Sequence, residues 1–181
     1  MSSKRRQLEK DVAKFIQGDY NQEQIAWHEA AHMLIFTEVL PNFIPYFTTC
    51  PDGRPGVNFK KKIDLENKDV LSQYVFGLLA GYAGELVKLR MTDTLHVREA
   101  TKALLSSVKE MDEMGFLIMT LDNDDAKAYY LLGKDKNAEE AIMAIMSSLV
   151  DHLVDVKIQL SKIVDEYKLM LSKNFEQNKV A

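Results

Sequence analysis

The 181-residue chain carries 23 basic against 27 acidic side chains, a formal charge of -4, and 46% hydrophobic residues. That length suits one domain, with room for a helical appendage, and is enough to bury a substantial core. The charge balance gives no electrostatic reason to expect nucleic acid, and a single cysteine, Cys50, excludes an internal disulfide framework.

The chain begins with the basic cluster SKRRQLEK, which reads as a solvated end of an N-terminal extension over residues 1–20, helical or flexible. Asn21 is suited to cap a helix whose first turn carries Glu23 and whose apolar residues recur through Ile25, Leu34, Ile35 and Val39 until Pro41 stops it. From Phe43 to Lys62 the pattern changes to aromatic and β-branched residues around a Pro-Asp-Gly turn, which predicts two short strands in a hairpin.

After Asp64, apolar residues recur at helical steps through LENKDVLSQYVFGLLAGYAGELVKLRM, where Gly77, Ala80, Gly81, Ala83 and Gly84 would let another backbone come close. Thr92 or Thr94 can cap the next helix, which ends at Gly115. The following segment is mixed, and its Asp-Asn-Asp-Asp run, Asp122 to Asp125, reads as a solvated loop with no assigned function. Ala138 to about Asn174 supports one long helix or two in sequence, its apolar stripe belonging to the core. The expected organisation is one domain over 21–174, with a metal-site half at 21–116 and C-terminal helices at 117–174, followed by a frayed tail at 175–181.

No charged n-region leads into a sustained apolar stretch, and YVFGLLAGYAG at Tyr74–Gly84 is far shorter than a membrane span. The expectation is a soluble cytoplasmic protein with no membrane span and no nucleic-acid partner.

The chemistry-bearing motif is WHEAAH, inside the first long helix. Two of the four histidines, His28 and His32, stand one turn apart on one face, so their imidazoles can converge on one ion. Glu29 projects to the side, where its carboxylate can accept a proton from a water at the metal without taking a coordination position. A zinc ion at such a site acidifies water and polarises a carbonyl, the chemistry of peptide hydrolysis. A third protein ligand is required. A glycine three residues after His32 and a histidine three beyond would complete a compact motif, but Ile35 and Glu38 stand there. The open candidates are His96, Asp93 and Glu85, whereas His152 reads as structural or exposed.

The order of these motifs resembles the zinc peptidase domain of the FtsH family. IAWHEAAHML is similar to that family's HEAGH helix, with Ala31 in place of glycine; IPYFTTCPDGRPGVNF stands where its strand pair lies; LLAGYAGELV resembles its LGGRAAEEL helix, with Tyr82 where arginine is usual. MTDTLHVREATKALLSSVKEMDEMGF is similar to the segment that supplies the family's third zinc ligand, ordinarily aspartate. Aligned on REAT, His96 takes that position, with Asp93 the alternative if the register differs by three residues.

The resemblance, specific over about Gln22 to Phe116, implies a mainly α, zincin-like helical peptidase domain of the FtsH type with a small β hairpin. It also implies zinc as cofactor, Glu85 as an orienter of a histidine, and an edge strand that pairs with an extended protein or peptide substrate. No phosphate-binding G-x-x-x-x-G-K-[ST] loop is present, so an enzyme of this kind would act without its own ATPase motor, as a homo-oligomer or with a substrate-delivering partner. Two functions follow: a stand-alone zinc endopeptidase with Glu29 as its base, and a peptidase-like metal-binding module that regulates a partner.

Overall fold

The computed structural model describes residues 2–17, 22–49 and 55–180, with side chains as far as residue 173. Among the described residues there are seven α-helices and one two-stranded sheet: α1 (Ser3–Gln17), α2 (Gln22–Val39), β1 (Pro45–Thr49), β2 (Pro55–Phe59), α3 (Lys68–Lys88), α4 (Thr94–Glu113), α5 (Asp124–Leu131), α6 (Lys136–Asp155) and α7 (Lys157–Val180). Short 3-10 turns cover Pro41–Phe43 and Leu117–Thr120. The molecule is mainly helical, as the apolar periodicities predict. The Asn21 cap and the turn at 50–54 lie outside the described residues.

Helix α3 is the central element. It packs against α2 on one side and α5 and α6 on others, while α7 lies along α2. By length and composition alone α3 is apolar enough to cross a membrane, yet Leu79, Ala80, Ala83 and Leu86 are all buried by their neighbours. The C-terminal stripe reads as core, and Leu149, Leu153, Leu160 and Tyr167 are fully buried, distributed over two helices that meet at Val156. Helix α7 continues as helix to Val180, through most of the stretch expected to fray.

The strands pair antiparallel with Tyr46 opposite Asn58 and Thr48 opposite Gly56. Tyr167 fixes the hairpin to α7, its hydroxyl donating to the Pro55 carbonyl at 2.8 Å and its ring meeting Phe47 edge-on. Toward the hairpin's open end, on the same face, Phe59 meets Phe36 of α2, whose ring also stacks on Tyr74 of α3. The hairpin is thereby held beside the helix that carries the two histidines.

Caps set the helix starts. Asn67 accepts from the backbone of Asp69 and Val70 at the head of α3, and Asp135 from that of Ala138 at the head of α6. At the head of α4 the cap is Asp93, not Thr92 or Thr94: its carboxylate accepts from His96 N at 3.0 Å. Gly115, at φ +77°, closes α4 in the left-handed conformation that glycine tolerates best.

The approach of α3 to α2 depends on bare backbone. A Cβ at Gly84 would lie 2.6 Å from both the Ala31 Cβ and the Trp27 carbonyl oxygen, and one at Gly77 would run into the Phe36 ring. Gly84→Ala is therefore expected to destabilise the fold by about 1–3 kcal/mol, as overpacking does. This should outweigh the roughly 1 kcal/mol that alanine gains over glycine inside a helix. Chemical denaturation of the metal-free protein checks it; equal or higher stability would mean the two helices have room to spare.

Candidate metal centre

His28 and His32 lie one turn apart on the α2 face turned toward α3, and their Nε2 atoms are 3.0 Å apart. This proximity is possible because position 81 has no side chain: a Cβ there would sit 2.6 Å from His32 Nε2 and collide with the His28 ring as well. His32 is almost fully buried and stacks on Phe36, while His28 stands edge-on to Tyr82.

The far nitrogen of each ring is tied to α3. His32 Nδ1 donates to the Gly77 carbonyl at 2.7 Å, and His28 Nδ1 donates to Glu85 Oε2 at 2.9 Å. Glu85 is held in turn by Gln24, whose amide donates to Oε1 at 2.6 Å. Glu85 thus lies behind a histidine, on the side away from the converging Nε2 atoms. Because the Gly77 carbonyl can only accept, and the Glu85 carboxylate accepts as well, both Nδ1 atoms carry hydrogen. In the neutral rings both Nε2 atoms then present lone pairs to the same space.

A carboxylate enters that space, and its position departs from the sequence reading. Asp124 Oδ2 lies 3.0 Å from His28 Nε2 and 2.8 Å from His32 Nε2. Asp124 belongs to the Asp-Asn-Asp-Asp run expected to be a solvated loop; it is instead the first residue of α5, packed onto α3. The local signal was present: an asparagine at the N-cap position, two aspartates in the first turn, and Gly133 just beyond the end at φ +103°. What the sequence does not reveal is that this helix starts against the histidines.

His96, expected as the third ligand, is engaged elsewhere. Its Nε2 meets Asp11 of α1 at 3.0 Å and its Nδ1 meets Asp93, the cap of its own helix. Helix α4 directs this side chain toward α1, so His96 is not brought to His28 and His32 as the alignment on REAT implies. Asp93, the alternative, is occupied as a helix cap and as a partner of His96. His152 pairs with Glu38 at 2.7 Å in an exposed contact, away from the pair.

Three lone-pair donors at 2.8–3.0 Å, two imidazole and one carboxylate, repel one another unless a positive charge joins them. His28, Glu29 and His32 form a group able to hold a metal ion, with their ligand atoms within 4.8 Å of one another. Ligand bonds of about 2.0–2.1 Å in a tetrahedral site would place donors about 3.3 Å apart, so a small outward relaxation of the triangle accommodates an ion. Without metal, protons take that role. Burial alone would lower both histidine pKa values, but Asp124, with Glu85 at His28, reverses this: His28 is raised well above its ordinary value and His32 is raised. Burial would raise Asp124, but the two histidines drive its carboxyl far below the usual range.

The His96 contact carries a pH signature of its own. Both ring nitrogens face carboxylates, an arrangement that only the imidazolium satisfies fully, and although partial burial opposes it, Asp11 and Asp93 raise the His96 pKa. A raised folded-state pKa contributes stability that is fully present below about pH 6.5 and is lost as pH rises through the folded value. The difference in unfolding midpoint between wild type and His96→Gln should be largest near pH 5–6 and shrink above that. Thermal melts across pH 5 to 9 check it, and a constant difference would show that the contact does not titrate.

Comparison of the chain with protein-family models, with curated proteins and with solved structures returns no match, so any functional reading rests on the geometry of His28, His32, Asp124 and their supports.

Proposed function

We propose that the protein is a zinc-dependent endopeptidase in which His28, His32 and Asp124 hold the ion and Glu29 is the general base. The observation that carries this reading is the convergence of two Nε2 lone pairs and a carboxylate whose orientations are set from behind by Gly77 and Glu85. The donor set fits zinc, which accepts imidazole and carboxylate ligands and in catalytic sites uses three protein ligands with a fourth position open. When bound, zinc supplies Lewis acidity, bringing the pKa of water toward roughly 7 and polarising a carbonyl.

The chain's own residues divide the remaining work. Glu29, adjacent in sequence to His28 but projecting aside from the face shared by the histidines, lies near enough to take a proton from water and pass it to the leaving amine. Gln24 and Glu85 hold the His28 ring against rotation, which keeps its Nε2 turned toward the point where an ion would be held. The hairpin, packed onto α2, offers strand Pro55–Phe59 near the site as a surface along which an extended peptide can add by main-chain hydrogen bonds. Aspartate is the ligand type ordinary in the FtsH-type resemblance, but here it comes from the head of α5 and not from the segment aligned on REAT, so the reading rests on the donor set and not on that alignment.

Purified protein is expected to carry one zinc by elemental analysis and to cleave an unfolded substrate such as casein. Glu29→Gln should retain the metal and lose activity at least about 100-fold. Asp124→Ala should lose zinc, whereas His96→Ala should keep it. Zinc in wild type with no cleavage across a range of substrates would identify a metal-binding regulatory module, and no zinc in wild type would overturn the metal reading.

A further inference from the structure

Asp124 and Lys127 stand three residues apart on α5, a spacing that makes them neighbours on one helix face, with about 5–6 Å between their Cβ atoms. Asp124 turns to the histidines, whereas Lys127 reaches Tyr74 of α3. Its ammonium donates to the Tyr74 hydroxyl oxygen at 2.9 Å and lies 5.1 Å from the centre of that ring. Tyr74 continues the line of the metal centre: its ring stacks on Phe36, which stacks on His32, and Phe59 at the end of β2 lies 6.3 Å from it. Lys127 therefore stands one helical turn from Asp124, on the side where β2 meets the centre.

An ammonium has three donors, and Tyr74 takes one. Lys109, Lys134 and Lys168 each pair with a carboxylate, but among the described residues half-buried Lys127 has no such partner. Asp124, the acid on its own face, is engaged by the imidazoles. At the same end β2 runs out through Phe59 into exposed Lys60, Lys61 and Lys62. The next acid, Asp64, turns back on its own connection and accepts from Glu66 N at 3.1 Å.

We propose that Lys127 is a specificity-determining residue that binds a carboxylate of the peptide, an acidic side chain or the free C-terminus, a few residues from the bond at the metal. The proposal deepens the peptidase reading and rests on it for the peptide. One helical turn is about 5.4 Å, and an extended chain advances about 3.3–3.6 Å per residue. A carboxylate one to three residues from the scissile bond thus matches the step from Asp124 to Lys127. Tyr74 orients the ammonium by its ring and hydroxyl without neutralising it. An arriving carboxylate then forms a charge-assisted hydrogen bond in partly desolvated surroundings. A neutral amide in the same place leaves the charge uncompensated, and a basic side chain is repelled.

The test uses fluorescein-labelled peptides of about ten residues in which one glutamate is moved through the central positions. Each has a glutamine counterpart, and a further pair ends in a free acid or an amide. Binding is read by anisotropy on Glu29→Gln protein supplied with zinc, and kcat/KM by cleavage with Glu29 in place. Lys127→Met, which keeps an apolar stem against Tyr74, and Lys127→Arg, which keeps the charge, are made in both backgrounds. At least one glutamate position, or the acid-ended peptide, should bind and be cleaved about 10-fold better than its neutral counterpart. Lys127→Met should bring that ratio close to one, and Lys127→Arg should retain most of it. The peptide that shows the ratio tells a side-chain carboxylate from a C-terminal one. Equal binding of acidic and neutral peptides, a ratio that persists in Lys127→Met, or no peptide binding at all would overturn the proposal. If no peptide is cleaved, the peptidase reading fails by itself, and the binding ratio still decides whether Lys127 receives a carboxylate.

Discussion

The separation of α2 from α3 is set by glycines at 77, 81 and 84, which leave α3 without side chains where Phe36, the two imidazoles and the Ala31–Trp27 backbone come against it. Each glycine weakens the helix that contains it by roughly 1 kcal/mol relative to alanine, and the packing of the two helices offsets that cost. The same closeness brings the Gly77 carbonyl within reach of His32 and Glu85 within reach of His28. A wider gap would leave both rings free to turn, and the lone pairs would no longer share one point in space.

Charge then determines what the site can be. The backbone carbonyl at Gly77 and the carboxylate at Glu85 assign the hydrogen of each ring to Nδ1, so two Nε2 lone pairs and Asp124 are left facing one another in largely buried surroundings. Such a centre favours positive charge, whether from protons or from a metal ion that it could hold. Metal affinity at a site of this kind is coupled to pH because the ion displaces protons. The contacts at His96 obey the same electrostatics with another result: its two carboxylates lie on opposite sides of the ring, one at each nitrogen, so they fasten α1 to α4 and gather no donors around a common point.

Much of this was legible in the chain. The helical periodicities, the hairpin between Pro41 and Asp64, the small residues of α3, and the WHEAAH face each follow from local spacing, and local spacing survives folding. Glu85 could be placed behind a histidine because the resemblance put it on the helix facing the motif. The miss concerned Asp124 and His96. Asn-Asp-Asp ahead of Ala-Lys-Ala is as good a helix start as it is a polar loop, and whether it is buried depends on what α3 presents to it. Conversely, His96 sits in the segment most similar to the family pattern, yet α4 packs on α1 and its imidazole meets Asp11 there, a tertiary contact that local spacing does not specify.

The sequence by itself determined that His28 and His32 share a helix face with Glu29 beside them, because that follows from 3.6 residues per turn. It also determined that a glycine-bearing helix could lie against that face. Only the tertiary structure decided which carboxylate closes the triangle. Asp124 is 92 residues beyond His32, and contacts at that separation arise from the packing of α5 on α3, in which many weak apolar contacts act together and no single motif specifies the outcome.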